Sequence, residues 1–474
     1  MLPLVTPQQA AGKHWDIIIC GSSFSAMFFA LGLAPHLSVL FVEKGGHQPH
    51  DDQIQGRIAG LEDFDHNNQS GQPKDWVAHS LLGGNSNCWW ACTPRFHPSD
   101  FRMRSLYGIG QDWPVSYGEL APFYQQVENV MQVSGGGSDH ILPRSAPFPF
   151  PDHIPSRTDM LLREKSHNWF AQPTARANGG DRANCCANGV CNRCPVDAKF
   201  TILNSISAFT RPNISLLLNS EMRSVNIQAG KATGVVVKTS TGAETQIDAN
   251  TVALGANAIF NAAILLRSGV QHPNLGKGLN EQVSVRVDIA GPGLGYFGGT
   301  SITGHGYDLY DGAHRRDNSG ILIETYNSPA IISTEFGKWG NIAQLKLIAE
   351  DLPQDQNQVR LTEDDNSSPV IDWHGHSDYA LAGLKWGVSQ LPELLPDGVE
   401  VTHISDLSTT EAHLMGTHPM GNDPSRHVVN GQLQVHGVAG LFALGSGAFP
   451  TTSPANPTLT LAALALRAAQ AVAT

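Results

Sequence analysis

The sequence predicts an α/β fold in which a discontinuous Rossmann-like domain carries an α+β second domain built on an antiparallel sheet. Three observations predict it. Residues 16–21 form an apolar run ending in Gly21, residues 27–33 are helix-like, and a second apolar run follows at 38–43, which together read as β-α-β. Near the other end of the chain, residues 440–450 read as a strand entering a glycine turn. Residues 453–460 then lead into an Ala/Leu-rich helix, a second strand–turn–helix unit at the opposite end of the sequence. Between them, 284–289 and 320–325 are strand-like and 380–386 is helix-like, which supplies the second domain.

Composition sets the outer limits. The chain has 474 residues, 41% hydrophobic, enough for a large core and against disorder. Its formal charge is −12 with no basic cluster, which argues against a nucleic-acid partner. Only 15% of residues are charged, a hint that part of the surface is covered by a partner. No apolar run approaches the ~20 residues of a membrane-spanning helix. The N-terminus lacks a basic region followed by an apolar one, so the expectation is a cytoplasmic protein, with co-export to the periplasm on a signal-bearing partner left open.

The β-α-β start points to a dinucleotide. A helix N-terminus directs backbone N–H groups at a pyrophosphate. Glu43 lies 22 residues after Gly21, where an acid can hold a ribose hydroxyl. The phosphate loop is irregular: the pattern is Gly-x-Gly-x-x-Gly, and this chain has Gly21-Ser22-Ser23-Phe24-Ser25-Ala26, with Ser23 where the backbone-approach glycine is expected.

Toward the C-terminus the chain reads Glu411-Ala-His-Leu-Met-Gly-Thr-His-Pro-Met-Gly-Asn422, and later Ser453-Pro-Ala-Asn-Pro-Thr-Leu-Thr460. This combination resembles the glucose–methanol–choline (GMC) family of FAD oxidoreductases. The resemblance implies that His413 and Asn456 face the flavin and act on substrate. An imidazole suits the removal of a hydroxyl proton, and a neutral amide suits holding the alkoxide oxygen. His418, five residues on, is read either as a flavin-lining residue or as a core histidine. The likeness extends to the glycine segment 83–95 and to residues 112–124, 253–258 and 265–269. It also covers 356–361 and 369–373, which are read as strands of the second domain. The implied flavin contacts are Gly21, Ser22, Ser23, Ser25, Ala26, Glu43, Gly83, Gly84, Asn85, Ser86, Cys88, Trp89, Ala256, Gly445, Ser446, Pro457 and Thr458.

The finer likeness is to pyranose oxidases and to the large subunits of bacterial gluconate, glucose and fructose dehydrogenases. Pyranose oxidases attach flavin through a histidine in a Ser-Thr-His-Trp stretch. Here Ser86-Asn-Cys-Trp89 puts Cys88 in that place, and the expectation is non-covalent FAD. Trp89, Trp90, Trp339 and Trp373 are candidates for stacking on a sugar face, against the commoner role of core residues.

Four of the seven cysteines, Cys185, Cys186, Cys191 and Cys194, fall within ten residues as Cys-Cys-x4-Cys-x2-Cys-Pro. The adjacent pair points two ways, so only one of Cys185 and Cys186 is expected to bind. The membrane-linked dehydrogenases of the family carry a three-iron cluster on a similar stretch whose last gap is one residue longer. The expectation is a [3Fe-4S] or other iron–sulfur centre, with a zinc knot and a disulfide or free thiols as alternatives.

Together these imply a domain order: an FAD-binding domain over 13–130, 195–285 and 405–474, a substrate domain over 286–404, and an irregular excursion with the cysteine loop over 131–194. The expected activity is FAD-dependent dehydrogenation of a CH–OH group of a sugar or other polyol. Expected partners are a small chaperone-like subunit and a cytochrome or quinone-linked acceptor. The alternatives are an oxidase that makes H₂O₂ and a non-catalytic electron-transfer or assembly subunit.

Overall fold

The computed structural model describes residues 2–55, 62–63, 67–69, 74–137, 140–295, 298–327, 340–362 and 368–472; the Trp339 expectation lies outside them. After a short helix over Pro7–Ala11 comes β1 (Trp15–Cys20), whose run of isoleucines is buried on both faces, as a central parallel strand requires. Helix α1 (Phe24–Gly32) is apolar almost all round and is buried from Phe24 to Ala30. Strand β2 (Val39–Val42) closes the first β-α-β unit. Helices α2 (Tyr117–Met131) and α3 (Arg157–Lys165) and the short strand β3 (Trp169–Ala171) come next. The chain then returns as β4 (Ile214–Leu217), β5 (Ser220–Gln228), β6 (Lys231–Thr239) and β7 (Glu244–Leu254), followed by α4 (Ala258–Arg267). Strands β8 (Val283–Ala290), β9 (Ile302–Gly306), β10 (Ile321–Tyr326) and β11 (Ile342–Ala349) precede helix α5 (Asp378–Leu394) and β12 (Glu400–Ile404). The last elements are β13 (Leu441–Ala443) and α6 (Thr458–Ala468).

Two sheets carry the architecture. The first runs β4-β2-β1-β7-β6-β5, with β13 also paired to β7. Its β4, β2, β1, β7 and β13 pairings are parallel, and β7 then continues antiparallel into β6. Because β13 joins β7 from nearly 200 residues away, this domain is discontinuous in sequence. The second sheet, β12-β8-β11-β10-β9-β3, is antiparallel throughout. Alternation decides its two faces. Val283, Val285, Val287, Ile289, Leu345, Leu347, Ile321 and Ile323 share one apolar cluster with Ala380, Leu384 and Leu391 of α5. Arg286, Lys346, Glu324 and His305 occupy paired positions one row deep on the opposite face.

One sequence expectation changes, and one expected pair of strands forms outside the two large sheets. The segment 131–194 is not wholly irregular: it supplies α3 and the edge strand β3 of the antiparallel sheet. Local composition, rich in Gly, Pro and His, conceals a strand of three residues whose stability comes from pairing with β9. The strands at 358–360 and 370–372 pair with each other and with 67–68 in a separate small sheet, not in the six-stranded one. Among the described residues no helix is long and apolar enough to cross a membrane.

Candidate active site

A cavity of about 460 Å³ is walled by residues of both sheets. At the β1–α1 turn it is lined by Gly21, Ser22, Ser23 and Ser25, and at the end of β2 by Glu43. The irregular phosphate loop has a structural answer. Gly84 (φ +50°) packs so closely that a Cβ there would lie 2.8 Å from the Ser23 Cβ, so the close approach is made by the glycine segment folded over the loop. Ser22 Oγ donates to Glu43 Oε2 (2.6 Å) and accepts from the Gly83 N–H (2.9 Å), joining loop, acid and glycine segment. Burial pushes the Glu43 carboxyl up to about 6, against hydrogen bonds from Gly45 and Ser22 that favour the ionised form.

Gly84, Asn85, Cys88, Trp89, Ala256, Gly445, Ser446, Pro457 and Thr458 also line the cavity. Ala26, Gly83 and Ser86 stand behind it. Ala26 packs against Gly255, Gly83 (φ +91°) makes the turn, and Ser86 Oγ donates to the Gly83 carbonyl. They shape the wall without forming it. Of the tryptophans, Trp89 and Trp90 face the cavity, whereas Trp373 is a core residue set edge-on against Trp76 with centroids 5.4 Å apart. His418 is likewise a core residue. It is fully buried behind the 445–447 turn, bonded to Thr417 Oγ1 (2.9 Å), and burial holds its imidazole down to about 4.

His413 and Asn456 both line the cavity. The His413 ring nitrogen Nδ1 lies 2.6 Å from Gln282 Oε1. Gln282 is buried, and its Nε2 donates to the carbonyls of Ser453 (2.5 Å) and Ala455 (2.8 Å), which fixes which end of the amide faces the ring. An amide oxygen accepts, so Nδ1 carries the proton and Nε2 is left as a bare lone pair. Burial lowers the imidazole pKa below its ordinary value, opposed by Glu411 and Glu281. The loop bearing His413 is held by the buried Glu281, which accepts from the backbone N–H groups of Glu411 (2.7 Å) and His413 (2.8 Å) and pairs with buried Lys74. Ala412 between them has φ +56°. Asn456 Oδ1 is buried with no partner among the described residues.

Gln282 and Glu281 carry no motif and escaped the sequence reading. So did the charged wall of the antiparallel sheet, where Lys346 and Glu411 form an ion pair (2.5 Å) and Glu324 meets His305 (3.2 Å).

Family models for GMC oxidoreductases match residues 71–284 and 353–465. The chain belongs to the GMC oxidoreductase family. A relative, 2-methyl-1,2-propanediol dehydrogenase of Mycolicibacterium austroafricanum, is 27% identical over 82% of this chain and 79% of its own. The fructose dehydrogenase large subunit of Gluconobacter japonicus is 24% identical over 82% of this chain and 80% of its own. A formate oxidase structure shares the fold with TM-score 0.71 at 15% identity, covering 97% of this chain and 98% of that one. This GMC oxidoreductase is therefore an FAD-dependent enzyme for alcohol- or sugar-type substrates. Its cavity suits the cofactor: a glycine-cradled turn, an acid at the end of β2 and an unpartnered amide at the far loop.

The cysteine loop does not gather a ligand set. Cys191 and Cys194 are buried, Cys185 is half-buried and Cys186 exposed. Each of three thiols is engaged separately: Cys191 with Ser301 Oγ (3.0 Å) and Arg176 Nη1 (3.3 Å), Cys194 with the Ala198 N–H (3.2 Å), and Cys185 with the Gly299 carbonyl (3.4 Å). Among the described residues no three or more His, Cys, Asp or Glu side chains converge as metal ligands. Two buried cations nonetheless flank the loop. Arg176 bonds to neutral groups and Lys199 to the carbonyls of Asn87, Trp89 and Asn192, with no carboxylate in an ion pair with either among the described residues. Burial raises the Cys191 thiol, but Arg176 and Ser301 outweigh it and bring its pKa below the usual thiol value.

Proposed function

We propose that this enzyme dehydrogenates a secondary or primary alcohol of a polyol or sugar, with His413 as the base. The observation that carries the reading is the Gln282-fixed imidazole on the wall of the same cavity that the Asn456 amide lines. His413 Nε2 takes the hydroxyl proton, and the Asn456 Nδ2 amide donates to the same oxygen and sets the angle of the carbinol C–H. Bound FAD supplies the two-electron acceptor for the hydride. Gly21–Ser25, Gly84 and Glu43 would hold its dinucleotide part, and Trp89, Trp90 and Tyr326, which line the cavity, would help exclude water from the reacting end. Anaerobic mixing of FAD-loaded enzyme with polyols should bleach the flavin band. No bleaching with any alcohol would leave the non-catalytic subunit as the better reading.

FAD is held without a covalent bond in this reading. Burial raises the Cys88 thiol to about 11, with Lys199 opposing, so at neutral pH it is protonated and a poor nucleophile. Acid precipitation is expected to release all flavin into the supernatant. Flavin that stays on the pellet, and is lost in Cys88→Ser, would establish a thioether instead.

For electron exit the reading is an iron–sulfur centre on Cys191, Cys194 and one of Cys185 and Cys186. Its support is the spacing and the positive surroundings provided by Arg176 and Lys199, which would suit clustered thiolates; in this structure the thiols are engaged separately. The large-subunit name of the fructose dehydrogenase relative supports an accessory subunit. In Cys191→Ser and Cys194→Ser, flavin reduction by substrate should persist while reduction of a one-electron acceptor collapses. Anaerobic protein without iron and sulfide would remove the centre and make O₂ the preferred acceptor.

A further inference from the structure

We infer that the substrate is an anionic alcohol, a polyhydroxylated carboxylate, whose charged end is held by Arg286. This rests on the alcohol-oxidising reading above and names the substrate class of the same site. Arg286 stands on the cavity face of β8 and lines the cavity. Its partner directly across the strand pair is Lys346, a like charge; such an opposition is destabilising, and an anion bound at Arg286 would relieve it. Lys346 has its relief on the other side, in Glu411 at 2.5 Å, with Glu324 next along the row. Arg286 has none. Glu324 lies two strands away and meets His305 (3.2 Å), while Glu411 is engaged by Lys346 and Ser284 Oγ (2.5 Å). Asp288, two residues along β8, accepts from Gln344 Nε2 (2.7 Å). On the outer side the neighbour is Ser405, bonded to the Arg286 backbone.

Among the described residues the guanidinium therefore has no carboxylate in an ion pair with it. It lies over the Tyr326 ring, 5.1 Å from the centroid, is exposed and lines the cavity, and its fork of donors has no partner among the described residues. A planar fork on an aromatic face is suited to two parallel hydrogen bonds to a carboxylate.

The test pairs acids with matching neutral alditols: glycerate with glycerol, and gluconate with sorbitol, with glucose 6-phosphate as the phosphate arm. Anaerobic flavin reduction and steady-state kinetics are measured for wild type, Arg286→Gln and Arg286→Lys. Wild type should prefer the acids in kcat/KM. Arg286→Gln should cut the acid-to-alditol ratio at least ~10-fold, mainly through KM, with Arg286→Lys restoring part of it. Calorimetric binding of gluconate, weakened by salt and by Arg286→Gln, reads the anion site independently of turnover. Equal use of alditols by wild type, a ratio unchanged in Arg286→Gln, or a preference for the phosphate overturns the proposal. Gluconate binding that depends on Arg286 without flavin reduction by any alcohol would keep the anion site and sink the alcohol-oxidising reading instead.

Discussion

Replacing His413 by alanine is expected to leave flavin bound and to slow its reduction by alcohol at least ~100-fold, the scale on which a general base acts. The reasoning is geometric first. Nδ1 is committed to Gln282 at 2.6 Å, so only Nε2 remains to take a proton. The pH dependence follows from the same environment. Burial lowers the imidazole pKa, with Glu411 and Glu281 opposing, and the neutral form is the active one. Flavin reduction should therefore rise with pH through that lowered value and be flat above it, placing the acid limb below the ordinary histidine pKa of about 6.5. His413→Ala should lose the limb along with the rate. Asn456→Ala should cost less, because it removes one hydrogen bond among several and leaves the base in place. Stopped-flow reduction between pH 4.5 and 8 checks both. Near wild-type reduction in His413→Ala, or an unchanged acid limb, would remove it as the base.

The parts of this site that sequence could reveal are those whose signal is local. The buried run ending at Gly21, the strand alternation at Val283–Ala290 and Ile321–Tyr326, and the motif around His413 all announce themselves within a dozen residues. The irregular Gly-Ser-Ser loop looked like a defect because its remedy, Gly84, lies 60 residues away. Gln282 and Glu281 are ordinary polar residues before a strand, and only the return of the 410–413 and 453–455 loops gives them partners. The same holds for the charged row. Alternation in β8 shows that Arg286 lies opposite the valines, but its place beside Lys346, and that of Lys346 beside Glu324, depend on pairings between strands that sequence spacing does not specify. His418 and Trp373 resolve open readings. For a histidine inside a glycine-rich motif the sequence left flavin-lining and core roles level, and for the tryptophan it favoured the core; each is packed into the core.

Glu281→Ala should be the most destabilising single change near the site. Glu281 and Lys74 form an ion pair with side chains 0% and 2% exposed. Removing the acid strands a buried ammonium, which costs about 3–5 kcal/mol when one partner of such a pair is lost. It also removes the acceptor for Thr410 Oγ1 and for the N–H groups of Glu411 and His413, so the loop that aims the base is released. Two effects are thus superposed, and a second variant separates them. In Lys74→Met/Glu281→Met the stranded charge is gone, so the thermal midpoint of the FAD-loaded enzyme should recover most of its loss. Flavin reduction should not recover, because the backbone donors of the 410–413 loop still lack their acceptor. Glu281→Gln, which keeps one carbonyl oxygen for those donors, should fall between the two in rate. A thermal midpoint unchanged in Glu281→Ala would show the ion pair to be of little structural weight, and full activity in the double variant would show that Glu281 does not position His413.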